Sequence, residues 1–263
     1  MSFNFPPNAT TDAPFGSFEP LLTATQLKER YLFGVELKDS NGNVMSDDVL
    51  QHYIISAVSY LEHKLDIVIA ERTFVEDYDY RATDYVNFNF IQLKKRPISQ
   101  LIEMKARFPN NQDLVKYPEE WYVVEKEAGQ IQLSPVEGTF SGLIVTQGGS
   151  YVPLIYGTQS YWPHLFHITY KAGFTPDQIP VIINEMIGMQ ASMRIFEILG
   201  DLILGPGVTS ENVGLDGASV SKQLGASPGM NAFSARIKSY KDQMKEYIET
   251  VRKYYNGIPS IVG

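Results

Sequence analysis

The run from Pro180 to about Leu202 constrains the fold more than any other part of the chain. Ile182, Ile183, Met186, Ile187, Met189, Met193, Ile195, Phe196, Ile198 and Leu199 nearly encircle a helix of this register, leaving Gln190, Arg194, Glu197 and Asp201 as a narrow polar stripe. A helix apolar on most sides has to be covered on most sides, so this one is expected at the centre of a helical assembly. Pro180 suits its first position, where no intrahelical N–H is needed. Immediately upstream a strand, His167-Ile168-Thr169-Tyr170, breaks at Lys171-Ala172-Gly173-Phe174. The helix therefore begins where a β-rich region ends.

Three further helices are predicted. Thr23-Ala24-Thr25-Gln26 has the spacing of a capping box and opens a short helix that Gly34 is expected to end. After a turn at Lys38–Asn43, Ser46 followed by Asp47 and Asp48 is an N-cap with acidic residues at the positive end of a helix dipole. Val49, Leu50, Tyr53, Ile54, Ala57, Val58, Leu61 and Leu65 then repeat at helical spacing to about residue 66. The last helix, about Asn231 to Tyr255, carries a seam of Phe233, Ile237, Tyr240, Met244, Tyr247, Val251 and Tyr254, whose 3.5-residue period calls for a long partner helix.

Between the second helix and the central one the pattern changes to short β-branched and aromatic runs punctuated by Pro, Gly and Asn. Strands are predicted at Thr73–Tyr80, Asn87–Leu93, Ile98–Arg107, Trp121–Glu125, Gln130–Ser134, Gly142–Thr146 and Leu165–Tyr170, with a mobile loop over 147–164. The resulting fold class is α+β, a helical bundle carrying an inserted small antiparallel β-domain. Its parts are an extended Pro- and Phe-rich arm (1–22), the bundle (23–66 and 176–256) with a long Gly/Ser-rich loop (203–232), the β-domain (67–175) and an apolar tail (257–263).

Composition narrows the function classes. The net charge of −8 argues against a general nucleic-acid binder, which needs clustered Lys and Arg to neutralise phosphates, yet it suits a surface that DNA passes without adhering. With no cysteine there is neither a disulfide framework nor a thiolate metal site, and an intracellular assembly environment is compatible. The first residues read as no signal peptide, and no run approaches a membrane span.

Chemical motifs are mostly absent. No phosphate-binding loop, metalloprotease motif, EF-hand loop or nucleophile elbow occurs. His164-x-x-His167 has metal-like spacing but no acidic third ligand nearby, so a β-domain surface is the reading. Glu76, Asp77 and Asp79 would serve a carbohydrate-active enzyme only if two carboxyls faced each other across a cleft; alternation with Val75, Tyr78 and Tyr80 favours a half-exposed acidic strand. Gly214-Leu215-Asp216-Gly217 with Ser219-Val220-Ser221 follows no expected strand and reads as a flexible loop rather than a nucleotide site. No catalytic, cofactor or metal-binding residue is assigned, and no enzymatic activity is expected.

Four segments, in order, carry a family resemblance: Leu93-Lys94-Lys95-Arg96-Pro97-Ile98-Ser99-Gln100-Leu101-Ile102-Glu103-Met104-Lys105; Trp121-Tyr122-Val123-Val124; Gly129-Gln130-Ile131-Gln132-Leu133; and Ile168-Thr169-Tyr170-Lys171-Ala172-Gly173-Phe174 with Ile179-Pro180. With Leu21-Leu22-Thr23 and Tyr60-Leu61-Glu62 before them, they resemble the head-to-tail connector proteins of tailed bacteriophages, also called head-completion or neck adaptor proteins, over roughly residues 21–200. The arm, the region 135–164 and everything after about residue 203 depart from the short family members. The resemblance implies a structural virion protein of the neck, assembled in the host cytoplasm into a homo-oligomeric ring, commonly a dodecamer, that joins the portal protein to the next neck or tail component. DNA would pass through its lumen. On that footing Tyr254, Tyr255, Ile258, Ile261 and Val262 are candidates for docking to the portal, since an apolar tail gains by burial in a partner. Phe3, Phe5, Phe15 and Phe18 of the arm are candidates for subunit contact, a heterologous interface being what a ring requires. A tail or baseplate module is the alternative structural reading, and a carbohydrate-active enzyme the remote one.

Overall fold

A computed structural model describes residues 21–39, 41–81, 90–107, 112–133, 143–145, 151–153, 160–204, 210–215, 218–223 and 233–256. The arm, apart from its last two residues, and the apolar tail lie outside them. The fold is an α+β mixture, as the periodicities predict. The described residues divide into two compact units, one within 66–175 together with 255–256, the other within 21–65 and 176–254.

The helical unit starts with α1 (Ala24–Arg30), whose capping box forms as its spacing requires: Gln26 N–H donates to Thr23 Oγ1 at 3.2 Å, and Thr23 N–H to Gln26 Oε1 at 3.0 Å. It ends before Gly34 is reached, Gly34 serving instead in the turn beyond at φ 78°. Asp39 closes the next turn by accepting the N–H groups of Asn41 and Asn43 at 2.9 and 2.8 Å. α2 (Asp47–Leu65) buries Leu50, Ile54, Ala57, Val58, Leu61 and Leu65 and packs on α3 (Val181–Leu204).

α3 is the central helix its composition demands. Every residue from Met186 to Met193 is buried. That includes Gln190, assigned above to the polar stripe, so the stripe is confined to Arg194, Glu197 and Asp201 near the C-terminal end. The Tyr31 ring lies directly on Gly188, where a Cβ would come within 2.2 Å of the ring; glycine is there for close approach. Burial, reinforced by the Glu185 carboxylate, pushes the Tyr31 hydroxyl well above its usual range.

α4 (Ser234–Asn256) buries Ile237, Met244 and Val251. Phe196 of α3 stacks on Phe233 at 4.9 Å and meets Tyr240 at 6.4 Å, with the Arg236 guanidinium 5.2 Å above the Phe196 ring. Arg252 donates through Nε to the Lys64 carbonyl at 3.2 Å, satisfying an orphan acceptor at the C-terminus of α2. The seam does not run to Tyr254 as its period suggested. It steps four residues from Val251 to buried Tyr255, the spacing of an ordinary α-helix rather than of a supercoil, and Tyr254 points outward.

The β unit contains a four-stranded antiparallel sheet, in the order β1 (Arg72–Arg81), β9 (Tyr161–Ala172), β3 (Ile98–Arg107), β4 (Asp113–Lys116), and a three-stranded one, β2 (Ile91–Gln92), β6 (Gln130–Leu133), β5 (Tyr122–Glu125). A 3-10 turn, Glu119–Trp121, precedes β5, so Trp121 leads into that strand instead of opening it. β7 (Leu143–Val145) and β8 (Tyr151–Pro153) form a hairpin, and β9 already starts at Tyr161, so strand structure occupies part of the segment predicted as a loop. One apolar cluster draws on both sheets, with Tyr80, Met104, Phe166, Ile168 and Tyr170 from the larger, Ile91 and Ile131 from the smaller, and Tyr117 from just beyond β4.

The Gly/Ser-rich loop also holds regular structure. β10 (Ser210–Leu215) and β11 (Ala218–Gln223) pair antiparallel, with Val213 opposite Val220 and Glu211 opposite Lys222. An Asp-Gly dipeptide separates them, the residue pair that two-residue hairpin turns favour because both central positions take positive φ.

Candidate assembly and docking sites

Three of the segments that carry the family resemblance, those containing Leu93–Ile98, Gly129 and Gly173-Phe174, are joined at one junction. Around the cis Arg96–Pro97 peptide, the Arg96 carbonyl accepts Val68 N–H at 2.7 Å and the Pro97 carbonyl accepts Gly173 N–H at 2.9 Å. Ile98 N–H donates to the Lys126 carbonyl and Leu93 N–H to the Gly129 carbonyl, both at 2.8 Å. Phe174 N–H reaches the Ile69 carbonyl at 2.8 Å, and Glu71 N–H returns to the Phe174 carbonyl at 3.1 Å. Gly173 has φ 103°, and a Cβ on it would lie 2.7 Å from the Ala70 carbonyl carbon and oxygen, so both conformation and clearance require glycine.

A buried polar relay braces this junction from inside the sheet. Glu76 on β1, only 8% exposed, accepts at Oε2 from the hydroxyl of Tyr170 at 2.8 Å and from that of Tyr78. Those hydroxyls in turn accept backbone N–H groups from the resemblance segment, Lys95 on Tyr170 at 3.2 Å and Lys94 on Tyr78 at 2.9 Å. Burial first, then the neighbouring tyrosine and Glu76, raise the Tyr170 hydroxyl far above the ordinary range; burial and the Glu76 hydrogen bond do the same for Tyr78. Glu76 thus corrects the half-exposed acidic strand: it shares the inner face with Phe74, Tyr78 and Tyr80, while Val75 points outward. A carboxylate is tolerable there because two hydroxyls satisfy it.

The remaining acidic residues of β1 also tie chain segments together. Asp79 accepts His164 N–H at 3.0 Å and the Tyr161 hydroxyl at 3.1 Å, with Arg81 at 3.8 Å, and the His164 hydrogen bond is the largest of the causes holding its carboxyl below the usual range. Asp77 faces His167 Nδ1 at 2.7 Å. Glu76 and Asp77, being successive strand residues, project to opposite faces and cannot converge on one substrate. The His164/His167 pair is divided between two aspartates, and among the described residues no group of three or more His, Asp or Glu could hold a metal. Beyond His167 the outer face carries an ion-pair lattice: Lys105 bonds Glu103 at 2.7 Å and Asp113 at 3.2 Å, and Lys116 bonds Glu103 at 2.8 Å.

The residues assigned to docking separate. Tyr254 is 66% exposed, whereas Tyr255 is 8% exposed with its ring edge-on to Phe174 at 6.0 Å. Ile258, Ile261 and Val262, and Phe3, Phe5, Phe15 and Phe18 of the arm, lie outside the described residues. Sequence reasoning missed the relay, because Tyr170 stands far from Glu76 in the chain and only the pairing of β1 with β9 unites them. Among the described residues no helix is long and apolar enough to cross a membrane.

The sequence matches no protein-family model and no curated protein. Solved structures similar to the chain include one from the neck of an empty gene transfer agent (GTA) particle computed with C6 symmetry (14% identity, TM-score 0.47, 94% of this chain and 96% of that one). Another comes from the virion of a native GTA particle (12% identity, TM-score 0.47, again 94% and 96%). A third comes from the neck of a native GTA particle computed with C12 symmetry (15% identity, TM-score 0.41, 82% and 86%).

Proposed function

We propose that this chain is a structural component of the neck of a tailed-phage-like particle, forming a ring that joins the portal to the tail and continues the DNA channel. The observation that carries the reading is the junction around Arg96–Pro97. The segments 93–105, 129–133 and 168–174, which resemble neck adaptors, are joined there by backbone hydrogen bonds, and the buried polar groups beside it hold those segments together. A part that transmits load through a particle needs such internal bracing.

The net charge of −8 suits a channel wall, because phosphates are repelled instead of retained. Docking to the portal is assigned to Tyr254, Ile258, Ile261 and Val262, Tyr255 being buried with its ring edge-on to Phe174. The test is co-sedimentation with purified portal rings, using the full chain and a variant lacking residues 258–263. The full chain is expected in the portal fraction and the truncated one, with unchanged circular dichroism, in the supernatant. Equal co-sedimentation would overturn the docking assignment, and absence of the full chain from the portal fraction would overturn the neck reading.

A further inference from the structure

The charge of the chain is unevenly spread. α4 holds Arg236, Lys238, Lys241, Lys245, Arg252 and Lys253 against Asp242, Glu246 and Glu249, so it is a net basic helix in a chain whose net charge is −8. At about 100° per residue, Lys238, Lys241, Lys245 and Arg252 fall within an arc of about 60°. They lie on one flank of the seam formed by Ile237, Met244 and Val251, and all four are exposed. The opposite flank carries Ser239, Gln243 and Thr250, and Arg236 on that side lies over the Phe196 ring, 5.2 Å from its centre. Solubility alone would be served by cations on either flank. Their collection on one gives the helix a directional positive field.

The acids of α4 occupy the adjoining crest and do not cancel this row. Lys245 meets Asp242 at 3.6 Å, but their side chains are 77% and 59% exposed, a pairing that water makes weak. Arg252 donates to the Lys64 carbonyl, a neutral partner that leaves its charge uncompensated. From Lys238 to Arg252 the row is about 21 Å long at the helical rise, the length of roughly six base-pair steps of a duplex. No aromatic side chain falls within the arc, so unstacked bases would find no ring to rest on, and a single strand is the poorer fit. Three lysines and an arginine in line suit phosphates, which position a duplex without reading its sequence. We propose that this flank of α4 is a phosphate-contact surface for duplex DNA, charge complementarity being what selects the ligand. The proposal deepens the neck reading, on which its DNA rests: net negative charge keeps the duplex from adhering, and a short cationic row gives it weak contacts that release as it moves.

The test is fluorescence anisotropy of a labelled duplex of about 20 base pairs titrated with the full chain, begun at about 20 mM salt. Four phosphate contacts predict that a fourfold rise in salt weakens binding roughly 150-fold. Lys238→Gln/Lys241→Gln/Lys245→Gln, which leaves one cation of the row, is expected to bind more weakly and to lose only about fourfold over the same rise, with helix content retained. Lys94→Gln/Lys95→Gln/Lys126→Gln, which removes as many cations from the β unit, is expected to keep the wild-type salt dependence. Absence of duplex binding at about 20 mM salt, wild-type salt dependence in the α4 variant, or an equal loss in the β-unit variant would each overturn the proposal. Salt-sensitive self-association that the α4 variant loses, without duplex binding, would assign the row to an acidic face of a second copy and overturn the DNA assignment. Intact portal binding without duplex binding would count against this proposal alone, and loss of portal binding with the predicted salt dependence against the neck reading alone.

Discussion

Replacing Tyr170 by Phe isolates the brace on which the β unit depends. The ring remains, so packing against Phe74 at 5.8 Å is kept, while Glu76 loses one of its two hydroxyl donors and Lys95 N–H loses its acceptor. A hydrogen bond to a carboxylate is worth about 1.5–3 kcal/mol and a neutral one about 1 kcal/mol, so the variant should lose about 2–4 kcal/mol. Tyr161→Phe is the matched control. Its hydroxyl bonds Asp79 at 3.1 Å at an exposed site, where about 1 kcal/mol or less is expected. Both tryptophans, Trp121 and Trp162, belong to the β unit, so their fluorescence during urea unfolding reports that unit selectively. A cycle with Glu76→Gln should show a coupling of about 1–3 kcal/mol between positions 76 and 170. A Tyr170→Phe cost below about 0.5 kcal/mol, or one equal to that of Tyr161→Phe, would refute the brace.

Other outcomes follow from the same contacts. Gly173→Ala, which combines positive φ with a backbone clash, should cost about 3 kcal/mol or more and deplete soluble protein; wild-type urea stability would contradict this. Gly188→Ala pushes a methyl into the buried Tyr31 ring and should lower helix stability by about 1–3 kcal/mol, read from circular dichroism, and Tyr31→Leu should relieve part of the loss. Tyr78, Tyr117 and Tyr170 all have hydroxyls raised by burial, so the folded state holds these protons after the unfolded chain has released them near its ordinary value of about 10. That contribution is complete below pH ~10 and falls as pH rises further. Tryptophan fluorescence and tyrosinate absorbance should therefore change together in one cooperative alkaline transition; gradual titration without unfolding would contradict the assignment.

The parts of the fold legible in the sequence are those set by local physics. Ile98–Arg107 is a strand with the bounds its pattern predicts, and Thr23 and Ser46 mark the entry to α1 and α2, because a cap and its partner lie within three residues of each other. What escaped depends on distant partners. Glu76 reads as a surface acid until Tyr170 arrives from β9, and Gln190 reads as solvent-facing until its neighbours close over α3. β9 begins earlier than its apolar core suggests because Asp79 captures His164, held at φ 52°, through its backbone. The β10–β11 hairpin was hidden by its small residues, although Asp216-Gly217 between alternating runs was a signal for it. Of the candidate site, Tyr254 and Tyr255 look equivalent in sequence, and only the four-residue step of α4 sends one outward and the other against Phe174.

Electron micrographs of the purified chain mixed with portal rings should show closed rings of this chain seated coaxially on the portal with an open central channel. Subunits located on a tail or baseplate instead, or portals that remain bare, would contradict the neck reading.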